Sequence, residues 1–208
     1  MYIVTMSQKK PPQEQIDYIL NLFKSNQIQQ ALDFIDTLSK DYPDESLLFN
    51  IRGACYAGLG QLDIAVQNYE KALSIKPDYS KAHYNLGSAL QELGKLHDSV
   101  KSYENSIALE PENAQAHNNL AIVLRELDQL EEAEASCRKA IVLDPEYAEA
   151  YISLSIILYA SGDLNSALES IEKAYSINPK LKIIKLLLAV LKARKNRDTN
   201  DVSIGNIS

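Results

Sequence analysis

The chain is poor in the residues that carry chemistry. Of its 208 residues only three are histidine and two are cysteine. No glycine-rich phosphate loop, nucleophile elbow or paired-cysteine metal motif occurs, so the chain by itself is not expected to be an enzyme. It has 21 basic residues against 28 acidic ones, a formal charge of −7. That balance argues against a nucleic-acid or anionic-membrane surface, either of which needs a basic field. Long apolar runs are missing too. The longest, residues 183–191, is interrupted by Lys185 and falls well short of the roughly 20 residues that span a bilayer. Residues 1–7 are too short and mixed for a secretory leader, so a reduced, cytoplasmic setting is expected. Met6 is an alternative start to Met1.

Proline is scarce as well, seven in all, but five recur every 34 residues: Pro43, Pro77, Pro111, Pro145 and Pro179. A fixed period of this length marks a chain of stacked copies of one small unit. Proline lacks an N–H and clashes with the preceding helical turn, so each one closes a unit. Five units follow, 12–45, 46–79, 80–113, 114–147 and 148–181, after an N-terminal extension over 1–11. Small residues recur twelve positions before each proline (Ala31, Ala65, Ser99, Ala133, Ala167). They recur again twenty-four before it (Gly53, Gly87, Ala121, Ser155, with Ile19 the exception). Small side chains at fixed helical places let two backbones approach closely, with Leu86, Leu90, Leu120 and Leu124 filling the space between.

Inside each unit the apolar spacing is helical, as in Ala82, Leu86, Ala89, Leu90 and Leu93. A break comes at Asn26, Gly60, Gly94, Asp128 and Gly162, residue types that tolerate the left-handed backbone of a helix end. A second helix then runs to just before the proline. The class is all-α: a solenoid of five helix–turn–helix units, a closing helix over 182–197, and a polar, unperiodic tail over 198–208 expected to be disordered. Cys55 and Cys137 fall in different columns of units two apart, too far for a disulfide.

Gly53, Tyr56, Ala65, Tyr69, Ala72 and Pro77 carry, in one unit, the pattern of the tetratricopeptide repeat, which the chain resembles over about 12–197. His83 and His117 stand where that family usually has tryptophan, Arg52 replaces a leucine, and the first unit is the most divergent, as suits an end repeat. The two histidines, one repeat apart and so about 10 Å from each other, cannot share a zinc, and are expected to fill the wedge between helices. His97 reads as ordinary surface, and Glu131, Glu132 and Glu134 favour the start of their helix.

The resemblance implies a right-handed superhelix whose concave side is lined by the first helix of each unit and grips extended peptides or helices. On that face would lie Asn50; then Lys81, Tyr84, Asn85 and Ser88; then Gln115, Asn118, Asn119, Ile122 and Arg125; then Ile152, Ile156 and Tyr159. Carboxamides one repeat apart can pair with a peptide backbone whatever its side chains. Asn85 and Asn119 are similar to two rungs of such an asparagine ladder; otherwise they are tolerated polar residues on a hydrated wall. Ile152, Ile156 and Tyr159 form an apolar stripe continued by Leu186 and Val190, either a recognition patch or side chains packed on one another. The family's carboxylate clamp for chaperone tails wants lysine and arginine on the inner helices. With Asn85 in the middle those places hold Asn50, Ala54, Gln115 and Asn119, with Asn119 in the middle Tyr84, Ser88, Glu149 and Ser153, and neither register supplies the cations.

The 182–197 segment matches the first half of a sixth unit. At about 100° per residue, Ile183 through Leu191 spread apolar side chains over about 200° of its circumference, more than one neighbour covers. A second copy of the chain, a partner or a further domain would shield the rest. The expected partner is a protein or peptide, with no cofactor, no metal, no nucleic acid and no membrane. The expected function is a non-catalytic interaction scaffold, with a substrate-recruiting region of a larger glycosyltransferase, sulfotransferase or oxygenase as the alternative.

Overall fold

In a computed structural model the backbone is described for residues 10–205 and side-chain surroundings for 10–197. Among the described residues there are eleven α-helices and no strand. The chain divides into two compact units, one ending at Leu109 and one beginning at Glu110. In the first, α1 (Gln13–Lys24) packs on α2 (Ile28–Asp41), α3 (Ser46–Gly58) on α4 (Leu62–Ile75), and α5 (Ser80–Glu92) on α6 (Leu96–Leu109). In the second, α7 (Ala114–Glu126) packs on α8 (Leu130–Leu143), α9 (Ala148–Ala160) on α10 (Leu164–Ile177), and α11 (Lys182–Gly205) against α10. Successive pairs also adjoin, α2 with α3, α4 with α5, and α8 with α9.

Local sequence explains where each helix stops. Asn26, Gly60, Gly94, Asp128 and Gly162 all have positive φ, between 58° and 91°. At each, the next N–H donates back over a full turn and more, from Gln27 to Leu22, Gln61 to Tyr56, Lys95 to Leu90, Gln129 to Leu124 and Asp163 to Leu158, every one at 2.9 Å. This is the Schellman closure, which satisfies carbonyls the helix end would otherwise leave bare. At the far end each second helix stops two residues before its proline. The intervening residue, as at Lys76 (φ −132°, ψ 89°), takes the extended backbone that a following proline imposes. The same rule accounts for α11. No proline or glycine stands before Gly205, so the helix continues through 198–205, where an unperiodic, disordered tail was expected. Residues 1–9 of the expected N-terminal extension and 206–208 of the tail lie outside the described residues.

The two helices of a pair approach closely because one side of the contact is small. A Cβ added to Gly53 would sit 2.6 Å from the Tyr69 ring, and one on Gly87 would sit 3.0 Å from the Tyr103 ring. Both tyrosines are buried, so neither ring has room to withdraw. In the second unit the same places hold Ala121 and Ser155, and the residues sixteen positions on become Cys137 and Ile171. Where the first helix gains atoms, the second loses them. Buried hydroxyls add directional ties in these columns. Ser99 Oγ donates to the Gly87 carbonyl at 2.7 Å, and Ser155 Oγ donates to the Ala167 carbonyl at 2.8 Å. These are the same two columns with donor and acceptor helices exchanged.

The two departures from the usual repeat have physical roles. Arg52 reaches from α3 to α2, where Nη2 donates to Asp36 at 2.6 Å and to Ser39 at 3.1 Å, while its guanidinium lies 5.5 Å from the Phe49 ring centre. A charged side chain thus replaces apolar packing at that joint. His83 and His117 do more than fill a wedge. Each Nε2 donates to the carbonyl of the proline six residues earlier, Pro77 at 2.9 Å and Pro111 at 3.0 Å. A carbonyl only accepts, so the proton must be on Nε2 in both rings.

Gly53→Ala is expected to destabilise the protein by about 1–3 kcal/mol through overpacking against Tyr69. Gly58→Ala, whose added methyl would have only Phe23 at 4.0 Å, is expected to be neutral or slightly stabilising. Gly94→Ala meets no atom within 4 Å and should cost about 1–2 kcal/mol from its left-handed backbone alone. Urea midpoints for the three variants check the ranking, and a Gly53 variant as stable as the parent would contradict it.

Candidate binding face on the first helices

Within each unit the first helices of neighbouring pairs touch, α3 with α5 and α7 with α9, so each unit presents its own wall of first helices. The residues singled out from the sequence divide by depth on these walls. Lys81 and Gln115 are exposed, and Tyr159 is 43% exposed. Tyr84, Asn85, Ser88, Asn119, Ile122, Arg125, Ile152 and Ile156 are half-buried. Asn50 and Asn118 are not on the open wall at all: they are 4% and 3% exposed. Tyr84 and Ile152 occupy the same column and stay half-buried, so local packing buries the two asparagines: Asn50 lies against Tyr79 and Asn85, and Asn118 against Cys137.

What Asn50 does there bears directly on the wall. Its Oδ1 accepts from Asn85 Nδ2 at 3.0 Å, and its Nδ2 donates to the Tyr79 hydroxyl at 3.4 Å. The buried amide therefore fixes how the half-buried one is turned. Burial raises the Tyr79 phenol above its ordinary pKa, with the Glu45 carboxylate adding to the rise and the Asn50 bond opposing it. Tyr84 packs edge-on to Tyr103, ring centres 5.7 Å apart, which stiffens the same wall from behind. In the second unit Asn118 lies 4.0 Å from Cys137 Sγ, whose proton goes to the Ala150 carbonyl at 3.1 Å. The sequence offered no sign of the Asn50–Tyr79 contact, since residue 79 precedes its helix.

Towards the C-terminus the wall turns apolar. Ile152 and Ile156 are half-buried, whereas on α11 Ile183 is 46%, Leu186 62% and Val190 47% exposed. Ile184 and Leu191 take the buried side of that helix, and Lys192 pairs with Glu172 of α10 at 3.1 Å. Tyr159, Ala160, Gly162, Leu164 and Arg194 line a shallow hollow that joins the end of α9 to α11.

No nucleophile stands out in these surroundings. Burial pushes the Cys55 thiol up to about 11 and the Cys137 thiol up to about 12, so both are neutral at physiological pH. Among the described residues no three histidine, cysteine, aspartate or glutamate side chains come together as a metal site, and no helix is long and apolar enough to cross a membrane.

Helix pairs repeated at a constant period, with a wall of first helices and polar and apolar bands along it, define a helical-repeat protein. Models of the tetratricopeptide repeat match residues 53–94, 84–148 and 148–181, and the chain belongs to that family. Among curated proteins it is similar to peroxisomal targeting signal receptors. The identity is 36% over 67 residues for that of Candida albicans and 29% over 75 for that of Kluyveromyces lactis. Those alignments take in 32% and 36% of this chain but only 11% and 13% of the receptors. Among solved structures, PilW, a type IV pilus biogenesis factor, superposes with a TM-score of 0.80 at 23% identity, covering 87% of this chain and 86% of PilW. YrrB, described as a tetratricopeptide repeat protein with an unusual peptide-binding site, superposes with a TM-score of 0.71 at 21% identity, covering 86% of this chain and 90% of YrrB. At these identities the structural likeness is one of fold.

Both thiols are expected to resist a disulfide reagent at pH 8 in the native protein and to react fully in denaturant. The folded state holds Cys55, Cys137 and Tyr69 in their neutral forms above their ordinary pKa values. Their contribution is therefore complete below about pH 9 and is lost as pH rises beyond it. The melting temperature should stay level from pH 7 to about 8.5 and fall above pH 9. Cys137→Ala should make the fall shallower, and an unchanged slope would count against this origin.

Proposed function

We propose that the chain is a non-catalytic interaction scaffold that holds an extended peptide or a helix against its first-helix walls. The strongest support is the bond from Asn85 to buried Asn50, which turns a half-buried carboxamide into a fixed element of the wall. A carboxamide so held has its orientation set before any peptide arrives, which lowers the ordering cost of binding. Asn119 stands one repeat further along the sequence, with Ser88 and Gln115 as further polar groups and Lys81 and Arg125 as cations. The Ile152, Ile156 and Tyr159 band supplies apolar contact. The similarity to targeting-signal receptors and to a repeat protein with a peptide site points the same way.

The test is selection of binders from a displayed peptide library, followed by titration of the parent and an Asn85→Ala, Asn119→Ala double variant. Affinity is expected to fall at least tenfold. Unfolding free energy should fall by about 1–3 kcal/mol, because buried Asn50 loses a partner and Asn119 gives up its own contact. Undiminished binding by the double variant, or a loss no larger than its loss of folded protein, would refute the assignment.

A further inference from the structure

We infer that the α9–α11 end of the second unit docks an acidic amphipathic helix, one whose apolar stripe is flanked by carboxylates. This rests on the reading of the first-helix walls as binding surfaces and specifies the occupant of one stretch of them. The apolar half of the match is the exposed trio Ile183, Leu186 and Val190, spaced i, i+3 and i+7 on α11, while Tyr159 at the end of α9 shares a hollow with Arg194 of the same helix as the trio. Such spacing is complementary to the anchor residues of a docked helix.

Charge supplies the other half. Residues 182–197 hold six of the chain's 21 basic residues and no acidic one; with Asp198 and Asp201 included, α11 carries a formal +4 and the remainder of the chain −11. On the helical circumference, at about 100° per residue, Lys182 falls on one side of the exposed trio, Arg194 on the other and Arg197 a turn beyond. All three are exposed. An apolar stripe rimmed by cations is matched by the reverse arrangement, an apolar stripe rimmed by carboxylates.

Two other occupants fit less well. A stable dimer buries roughly 800 Å² on each partner, and four half-exposed side chains offer well under that, about what one short helix covers. An anionic bilayer would attract α11, yet the −11 on the rest of the chain would be driven towards the same surface and opposes close approach.

The probe is a pair of hydrocarbon-stapled 14-residue helices sharing one leucine stripe, the first flanked by glutamates and the second by lysines. Titrated against the full chain by fluorescence anisotropy, the glutamate helix is expected to bind at least tenfold tighter, and its affinity to fall as salt is raised. Leu186→Glu should abolish binding, and Lys182→Glu with Arg197→Glu should weaken it at least fivefold. These positions are exposed, so circular dichroism should show the fold intact. The Asn85→Ala, Asn119→Ala variant should bind the glutamate helix as the parent does. Equal affinity for the two helices overturns the inference. So does co-sedimentation with vesicles of 30% phosphatidylserine, or a dimer in light scattering that Leu186→Glu dissolves. Failure here with library peptides still dependent on Asn85 and Asn119 would remove this assignment and leave the general one standing.

Discussion

The fold depends on how closely two helices of a pair can lie. In the first unit a glycine backbone receives a tyrosine ring, and there is no space for a single added carbon at Gly53 or Gly87. In the second unit the bulk is shared out differently, with Ala121 and Ser155 in the glycine column and Cys137 and Ile171 sixteen positions on. The most divergent pair, Ile19 and Ile35, fills the same two columns with equal side chains, and both are completely buried. Close packing constrains the sum of volumes across the contact rather than either residue by itself. The repeat therefore tolerates variation in any one column so long as its partner column responds.

This spacing is also what positions the walls. A second helix drawn tightly onto its first helix leaves the opposite flank of the first helix free of intra-repeat contacts. Neighbouring first helices then lie near enough for a side-chain bond such as that between Asn85 and Asn50. The inner hydroxyl ties of Ser99 and Ser155 fix the slide of one helix along the other in a way that dispersion contacts do not.

Features set by neighbours in sequence were legible without coordinates. The 34-residue proline period, the left-handed helix ends and the small-residue columns depend on backbone chemistry within a few positions, and all recur in the structure. What was missed depends on the rotation of one helix against another. Asn50 and Asn118 read as wall residues, but neighbouring side chains cover them, Tyr79 and Asn85 at the first and Cys137 at the second. His83 and His117 read as space fillers because nothing in a one-dimensional pattern shows a ring nitrogen meeting a carbonyl six residues back. The length of α11 was underestimated because polar composition was taken to end a helix that lacks any residue able to break it. The Leu186 and Val190 stripe, by contrast, was readable from periodicity, and both side chains are about half exposed or more.

The uneven distribution of charge has a kinetic consequence. Within the second unit a formal +4 on α11 stands against −8 on residues 110–181, and long-range fields act on encounter rather than on residence. An acidic visitor would be turned towards the last helix before any side chains meet, while anionic strangers would be repelled from the rest. Selection among visitors would then begin in solution, at distances comparable to the Debye length, and would be tuned by the ionic strength of the surroundings as much as by the shape of the surface.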